Sequence, residues 1–237
     1  MQYLKTTYVF SVHKPKRSSF KRRPVVVPSI FHTIMADLID YRKLSHWNSG
    51  FKYILVIIDA FSRYAWTRPL KTKQAEECAK QIDDILSNMQ YVPTFFTSDQ
   101  GNEFMAKNQY IKRVLIDKYK MNIYPMRGRT KGSIVERYNR TLKTRLQRYF
   151  TENKSKNWVN VLGDFTHNIN HSVNRSINMK PVEVTLDKVQ EIRRRLYRTT
   201  ISTKPCLVKI GDLVRIPREK NRFSKGYEQS KFLLILL

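Results

Sequence analysis

Hydrophobic and polar positions follow two different periods along the chain, and each change of period marks a change of element. Tyr53-Ile54-Leu55-Val56-Ile57-Ile58 is an unbroken apolar run, the pattern of a strand covered on both faces. Phe31 to Tyr41 before it and Arg63 to Leu70 after it predict two further strands. The polar stretch Ser45 to Gly50 predicts a turn. Three strands with short connections imply an antiparallel meander.

From Thr72 the period becomes helical. Ala75, Cys78, Ala79, Ile82, Ile85, Leu86 and Met89 recur at three- and four-residue spacing, with Thr72 as the expected cap. Thr94 to Thr97 predicts a short strand, Tyr110 to Tyr119 a second helix and Met121 to Tyr124 a fifth strand. Pro125 to Ser133, with two glycines and three cations, reads as a mobile loop. A long helix follows from about Ile134 to about Phe150, its apolar stripe formed by Val135, Tyr138, Leu142, Leu146 and Tyr149. Glu136, Asn139, Arg140 and Lys143 fall at helical spacing on a different, wetted face. Trp158 to Val173 predicts one more helix, closing at Pro181. Val208 to Ile216 opens a small strand-rich module. Helices interleaved with strands after a meander imply a mixed sheet covered by helices.

Charge changes the picture most. The 237 residues carry 45 Lys and Arg against 19 Asp and Glu, a formal net charge of +26. That excess points to a polyanion, most naturally nucleic acid, with a merely basic protein as the plain alternative. His13-Lys14-Pro15-Lys16-Arg17 and Lys21-Arg22-Arg23-Pro24 concentrate cations near the start. They read equally as a nuclear-import tract, a DNA-contacting arm or a solvated tail. Only Cys78 and Cys206 are present, so neither a disulfide framework nor a paired-cysteine zinc signature is expected. No signal peptide or membrane span is expected: Met1 to Val12 is too polar, and Phe232 to Leu237 too short. A soluble protein working in the nucleus is the expectation.

Three carboxylates then stand out. Asp37 lies in Ile34-Met35-Ala36-Asp37-Leu38-Ile39, Asp99 follows Phe95-Phe96-Thr97-Ser98, and Glu136 opens the long helix. A buried, unpaired charge costs several kcal/mol, about 2–7 even for a neutral polar group, which argues against a packing role. Three carboxylates together repel unless divalent cations hold them, as in a two-metal site for phosphoryl transfer. Asp40 and Asp59 compete for the first position. Asp40, three residues on, faces the other side of the strand, and Asp59 ends the next one. His167 and His171, four apart, read as ordinary helix residues, and Cys78 as core.

These stretches carry a resemblance. Ala36-Asp37-Leu38, Tyr53 to Arg63, Thr97-Ser98-Asp99-Gln100-Gly101-Asn102-Glu103-Phe104 and Gly132 to Lys143 resemble the catalytic core of retroviral and retrotransposon integrases. These belong to the DDE polynucleotidyl transferase superfamily. The nearest likeness is to integrases of large DNA transposons of the Maverick or Polinton type and their domesticated copies. The resemblance implies an α/β, ribonuclease-H-like fold: a mixed five-stranded sheet flanked by helices, with a truncated small β-barrel-like tail. It implies a basic, disordered arm over 1–27, a catalytic core over 28–185 and a basic connector over 186–205. Residues 206–237 would form a Src-homology-3-like DNA-binding tail, cut short after Tyr227. No counterpart of the zinc-binding domain that commonly precedes the family's core is expected, and the last two carboxylates are separated by 36 residues rather than the usual 35.

By the same resemblance Asp37, Asp99 and Glu136 are both catalytic residues and ligands of two Mg²⁺ ions, for which Mn²⁺ can substitute. Lys131, Arg137, Asn139, Arg140 and Lys143 are the expected DNA contacts, helped by Arg193 to Arg195. The implied activity is 3′-end processing and strand transfer of transposon DNA, by a homo-oligomer holding transposon ends and target DNA. A transposon-derived DNA-binding protein without catalysis, and a ribonuclease acting on RNA–DNA hybrids, are the alternatives.

Overall fold

The computed structural model describes residues 25–99, 101–125, 133–197, 211–217 and 232–236. Lys131, Gln100, Cys206, the segment 126–132 and nearly all of the N-terminal arm lie outside the described residues.

Pro24–Arg198 forms one compact unit built on a five-stranded sheet. Its strands are β1 (Thr33–Asp40), β2 (Tyr53–Asp59), β3 (Ala65–Leu70), β4 (Phe95–Ser98) and β5 (Asn122–Pro125). They lie in the order β3-β2-β1-β4-β5. The β1–β2 and β2–β3 pairs are antiparallel, and the β1–β4 and β4–β5 pairs are parallel. The meander and the mixed sheet are both present. The apolar run of β2 is buried at every position, each large side chain contributing roughly 1.5–3 kcal/mol.

The helices divide between the two faces. On one lie α1 (Ala75–Ser87) and α2 (Gln109–Ile111, continuing as a π-helix over Lys112–Lys118). Cys78, Ile82, Ile85, Leu86, Ile111 and Leu115 pack there against Ile34, Ala36, Leu55 and Ile57. On the other lie α3 (Ser133–Glu152), α4 (Leu162–Asn170) and α5 (Val189–Tyr197). Val135, Tyr138, Leu142, Leu146 and Ile192 pack there against Met35, Ile39, Ile54, Val56 and Ile58. The two-residue period of β1 therefore turns Asp37, in step with Met35 and Ile39, towards α3.

Several local expectations are corrected. Thr72 does not cap α1: the cap position is Gln74, which makes no side-chain cap bond. Glu77 reaches back instead, its Oε1 accepting from Lys71 N and its Oε2 from Thr72 N. The helix expected from Trp158 begins only at Leu162. Asn48, 1% exposed, takes the backbone N–H groups of Trp158 (2.7 Å) and Val159 (3.2 Å) on its Oδ1. Its Nδ2 donates to the carbonyls of Leu44 and Lys156. Trp158 is thereby fixed as a buried plug rather than a first helical turn. The cationic stretch after Lys188 is helical too, with Val189 and Ile192 buried in the core.

Outside this unit, β6 (Leu213–Pro217) pairs antiparallel with β7 (Phe232–Leu236). Among the described residues no helix is long and apolar enough to cross a membrane.

Candidate active site

Asp37 sits in mid-β1 with both carboxylate oxygens engaged. Oδ1 accepts from Leu38 N at 2.8 Å, and Oδ2 from Asn139 Nδ2 at 2.7 Å. Its pKa is raised to about 6, first by burial and then by the like charges of Asp99 and Glu136. The Leu38 N–H and the Lys143 ammonium act in the opposite direction. Ala36 pairs in parallel with Ser98, so Asp37 and Asp99 follow at the next step of neighbouring strands, which lie about 4.8 Å apart. Asp99 is exposed at the strand end, and its Oδ1 accepts from Gly101 N at 3.1 Å.

Glu136 stands exposed in the first turn of α3, where the helix dipole favours a negative charge. A shallow cavity of about 290 Å³ is lined by Asp37, Glu136, Asn139, Arg140, Lys143 and Thr144. Every lining residue except Asp37 comes from α3. The fold thus brings Asp37, Glu136, Asn139, Arg140 and Lys143 together, with Asp99 beside them electrostatically but not lining the cavity. Arg137 lines a separate cavity round the helix.

Asn139 departs from the wetted face expected for it: it is 6% exposed. It falls four residues after Val135 and three before Leu142, on the edge of the apolar stripe, and that position is the available signal. Its role as the partner of Asp37 cannot be read from spacing. The competitors are accounted for. Asp40 is exposed and paired with Arg42, whose hydrogen bonds hold its carboxyl below the usual range. Asp59 is buried and accepts from the backbone N–H groups of Phe31, Phe61 and Ser62, organising the turn after β2. The His167 and His171 rings stack, with centroids 3.8 Å apart.

The donor chemistry suits a hard divalent cation. It consists of carboxylates, with no thiol or imidazole among the cavity's lining residues. Asn139 Oδ1 is also buried beside Asp37, without a partner among the described residues. Among the described residues, however, no three His, Cys, Asp or Glu side chains stand close enough to hold an ion. The carboxylates are placed around a site but not closed on one.

Comparison with known proteins shows what this arrangement resembles. Residues 32–131 match the family described as Integrase core domain, a span that includes Asp37 and Asp99 and stops short of Glu136. The chain is 36% identical over 184 residues to a transposon-derived protein of Caenorhabditis elegans, covering 77% of this chain and 60% of that protein. It is 31% identical over 125 residues to the Gag-Pol polyprotein of feline leukemia virus, covering 52% of this chain and 7% of the polyprotein. Among solved structures, the simian T-cell lymphotropic virus intasome bound to the PP2A regulatory subunit B56 gamma is similar. Its TM-score is 0.63 at 16% identity, over 98% of this chain and 76% of that one. The HTLV-2 integrase catalytic core domain in complex with magnesium gives 0.53 at 17% identity, over 66% of this chain and 97% of that one. Over residues 32–131 the chain is similar to the integrase core domain of the DDE type found in retroviruses and transposons. Its fold is the ribonuclease-H-like fold of integrase catalytic cores.

Proposed function

We propose that the chain is a DNA integrase or transposase that trims and joins transposon ends by metal-dependent phosphoryl transfer. The observation that carries this reading is the cavity in which Asp37 meets Glu136, beside Asp99, with Arg140 and Lys143 on the same helical face. Asp37, Asp99 and Glu136 would hold Mg²⁺, or Mn²⁺ in its place. Bound as a pair, such ions polarise the attacking oxygen and neutralise the leaving one.

The chain's own residues do the rest. Asn139 fixes the rotamer of Asp37 through its amide N–H, so that the carboxylate is positioned before substrate arrives. Arg140 and Lys143 draw a DNA phosphate to the carboxylates and offset its charge. Burial keeps the Asp37 oxygens in a low-dielectric setting, where electrostatic effects on a reacting phosphate are large. The nucleophile is water during end trimming and the freed 3′-hydroxyl during joining. Joining two ends calls for more than one copy of the chain. The HTLV-2 core, described in trimeric and dimeric forms, supports that view. With DNA as substrate and a basic tract near the start, the place of work is the nucleus.

The open arrangement of the carboxylates favours one second reading, a DNA-binding protein of integrase descent that no longer catalyses. Incubating the chain with labelled duplex and Mg²⁺ separates the two. Nicking and strand transfer that vanish in EDTA support the enzyme, and binding without cleavage supports the alternative. Preferential cleavage of an RNA–DNA hybrid would instead identify a ribonuclease.

A further inference from the structure

Helix α3 has a second charged face, about a third of a turn round from the first. There, with the turn after β2 and the loop after α4, it walls a cavity of about 700 Å³. Arg63, Arg137, Arg145 and Arg175 all line this cavity, and among the described residues no carboxylate does. None of the four takes part in the ion pairs formed among the described residues. Arg145 donates to a hydroxyl, Ser172 Oγ at 3.4 Å.

Arg63 is held at φ 66°, in the left-handed region, with its guanidinium donating to the carbonyl of Ala60. Burial, with Arg137 nearby, lowers its pKa, while Tyr197 and Asp59 partly offset this. Asp59 itself is buried and accepts three backbone N–H groups. Four arginines lining one cavity repel one another, and Asp59 and Tyr197 offset that only in part at Arg63.

We propose that this cavity is a phosphate-binding site that takes the backbone of a nucleic-acid strand, separate from the carboxylate cavity. Guanidinium groups bind phosphate oxygens in bidentate fashion, and hydroxyls such as Thr141 and Ser176 add further polar partners. The volume exceeds what one phosphate fills and lies within the range of ligand cavities, roughly 300–1,000 Å³. The site positions DNA and carries no sequence preference. The source of the phosphate rests on the function proposed above; the anion chemistry does not.

The test uses the full chain carrying Arg137→Gln, Arg145→Gln and Arg175→Gln together, with Arg63 left intact because it is half-buried and holds the turn after β2. A charge-matched control carries Lys80→Gln, Lys112→Gln and Arg113→Gln, on the helices of the opposite sheet face. Circular dichroism melts establish that both are folded. Anisotropy of a labelled duplex is then followed against salt in EDTA. The triple variant is expected to lose at least tenfold in affinity, with its salt slope reduced by roughly 0.9 for each phosphate left without its arginine. The control should change by less than threefold.

Equal losses in variant and control would overturn the assignment while leaving the proposed function intact. Failure of the unmodified chain to bind duplex would overturn both. A second arm follows melting with tripolyphosphate. Stabilisation of the unmodified chain but not of the triple variant, with DNA affinity equal to the control, would assign the cavity to a free polyphosphate and refute the backbone site.

Discussion

Replacing Asp37 by Asn should make the metal-free chain more stable at neutral pH, while removing the residue on which its chemistry depends. The Asp37 carboxyl titrates at about 6 in the folded chain, against an ordinary value of 3.8. Its pKa is raised on folding, so between those values the folded state keeps a proton that the unfolded state has released. The protonated carboxyl's full stability is present below 3.8 and is lost as pH rises towards about 6. At 1.36 kcal/mol per pH unit, ionised Asp37 costs folding up to about 3 kcal/mol at pH 7.5 and about 1 kcal/mol at pH 4.5. Asn has one acceptor oxygen in place of two, so the bond from Leu38 N or from Asn139 Nδ2 is lost, at about 1 kcal/mol. The net expectation for Asp37→Asn is a gain of about 2 kcal/mol at pH 7.5 and almost none at pH 4.5. Thermal melting by circular dichroism in EDTA should show Tm raised by about 4–8 °C at the higher pH only. A variant equally stabilised at both values, or destabilised at pH 7.5, would refute the claim that burial and carboxylate repulsion load this residue.

Three other outcomes follow from the same geometry. Asn48→Ala removes the partner of four backbone groups and should cost about 3 kcal/mol, lowering Tm by about 6–12 °C, as read by thermal melting. Cys78 is buried and its thiol is pushed up to about 12. A disulfide reagent at pH 8 should therefore leave it unmodified in the native chain and label it only after denaturation, which mass spectrometry of the peptide would show. Arg140→Gln with Lys143→Gln should reduce the salt slope of duplex binding by roughly 1 to 2; an unchanged slope in anisotropy titrations would remove both residues from the DNA path.

Much of the fold is legible in the sequence because its signals are local. The apolar run Tyr53 to Ile58 can only be a strand covered on both sides, and Val135, Tyr138, Leu142 and Leu146 mark the buried stripe of α3. Alternation in β1 sends Asp37 and Asp40 to opposite faces, and the face that Asp37 takes is the one that α3 covers. What stays hidden depends on partners distant in the chain. Asn139 bonds across 102 positions to Asp37, and Asn48 across 110 to Trp158. No periodicity announces such pairs, so Asn139 reads as a wetted residue and Trp158 as the start of a helix. Adjacency in sequence likewise groups Arg137 with Glu136. One residue of helix is about 100° of rotation, enough to place Arg137 on another cavity.

Catalysis at the carboxylate cavity is tested by comparing the unmodified chain with Glu136→Gln on a labelled duplex in Mg²⁺, scoring nicking and strand transfer alongside salt-sensitive binding. Metal-dependent products are expected from the unmodified chain, with their loss in Glu136→Gln and DNA binding retained in both. Products that persist in Glu136→Gln would contradict the assignment of the carboxylate cavity. Binding without products from either chain would leave a DNA-binding protein on an integrase fold, not the enzyme proposed.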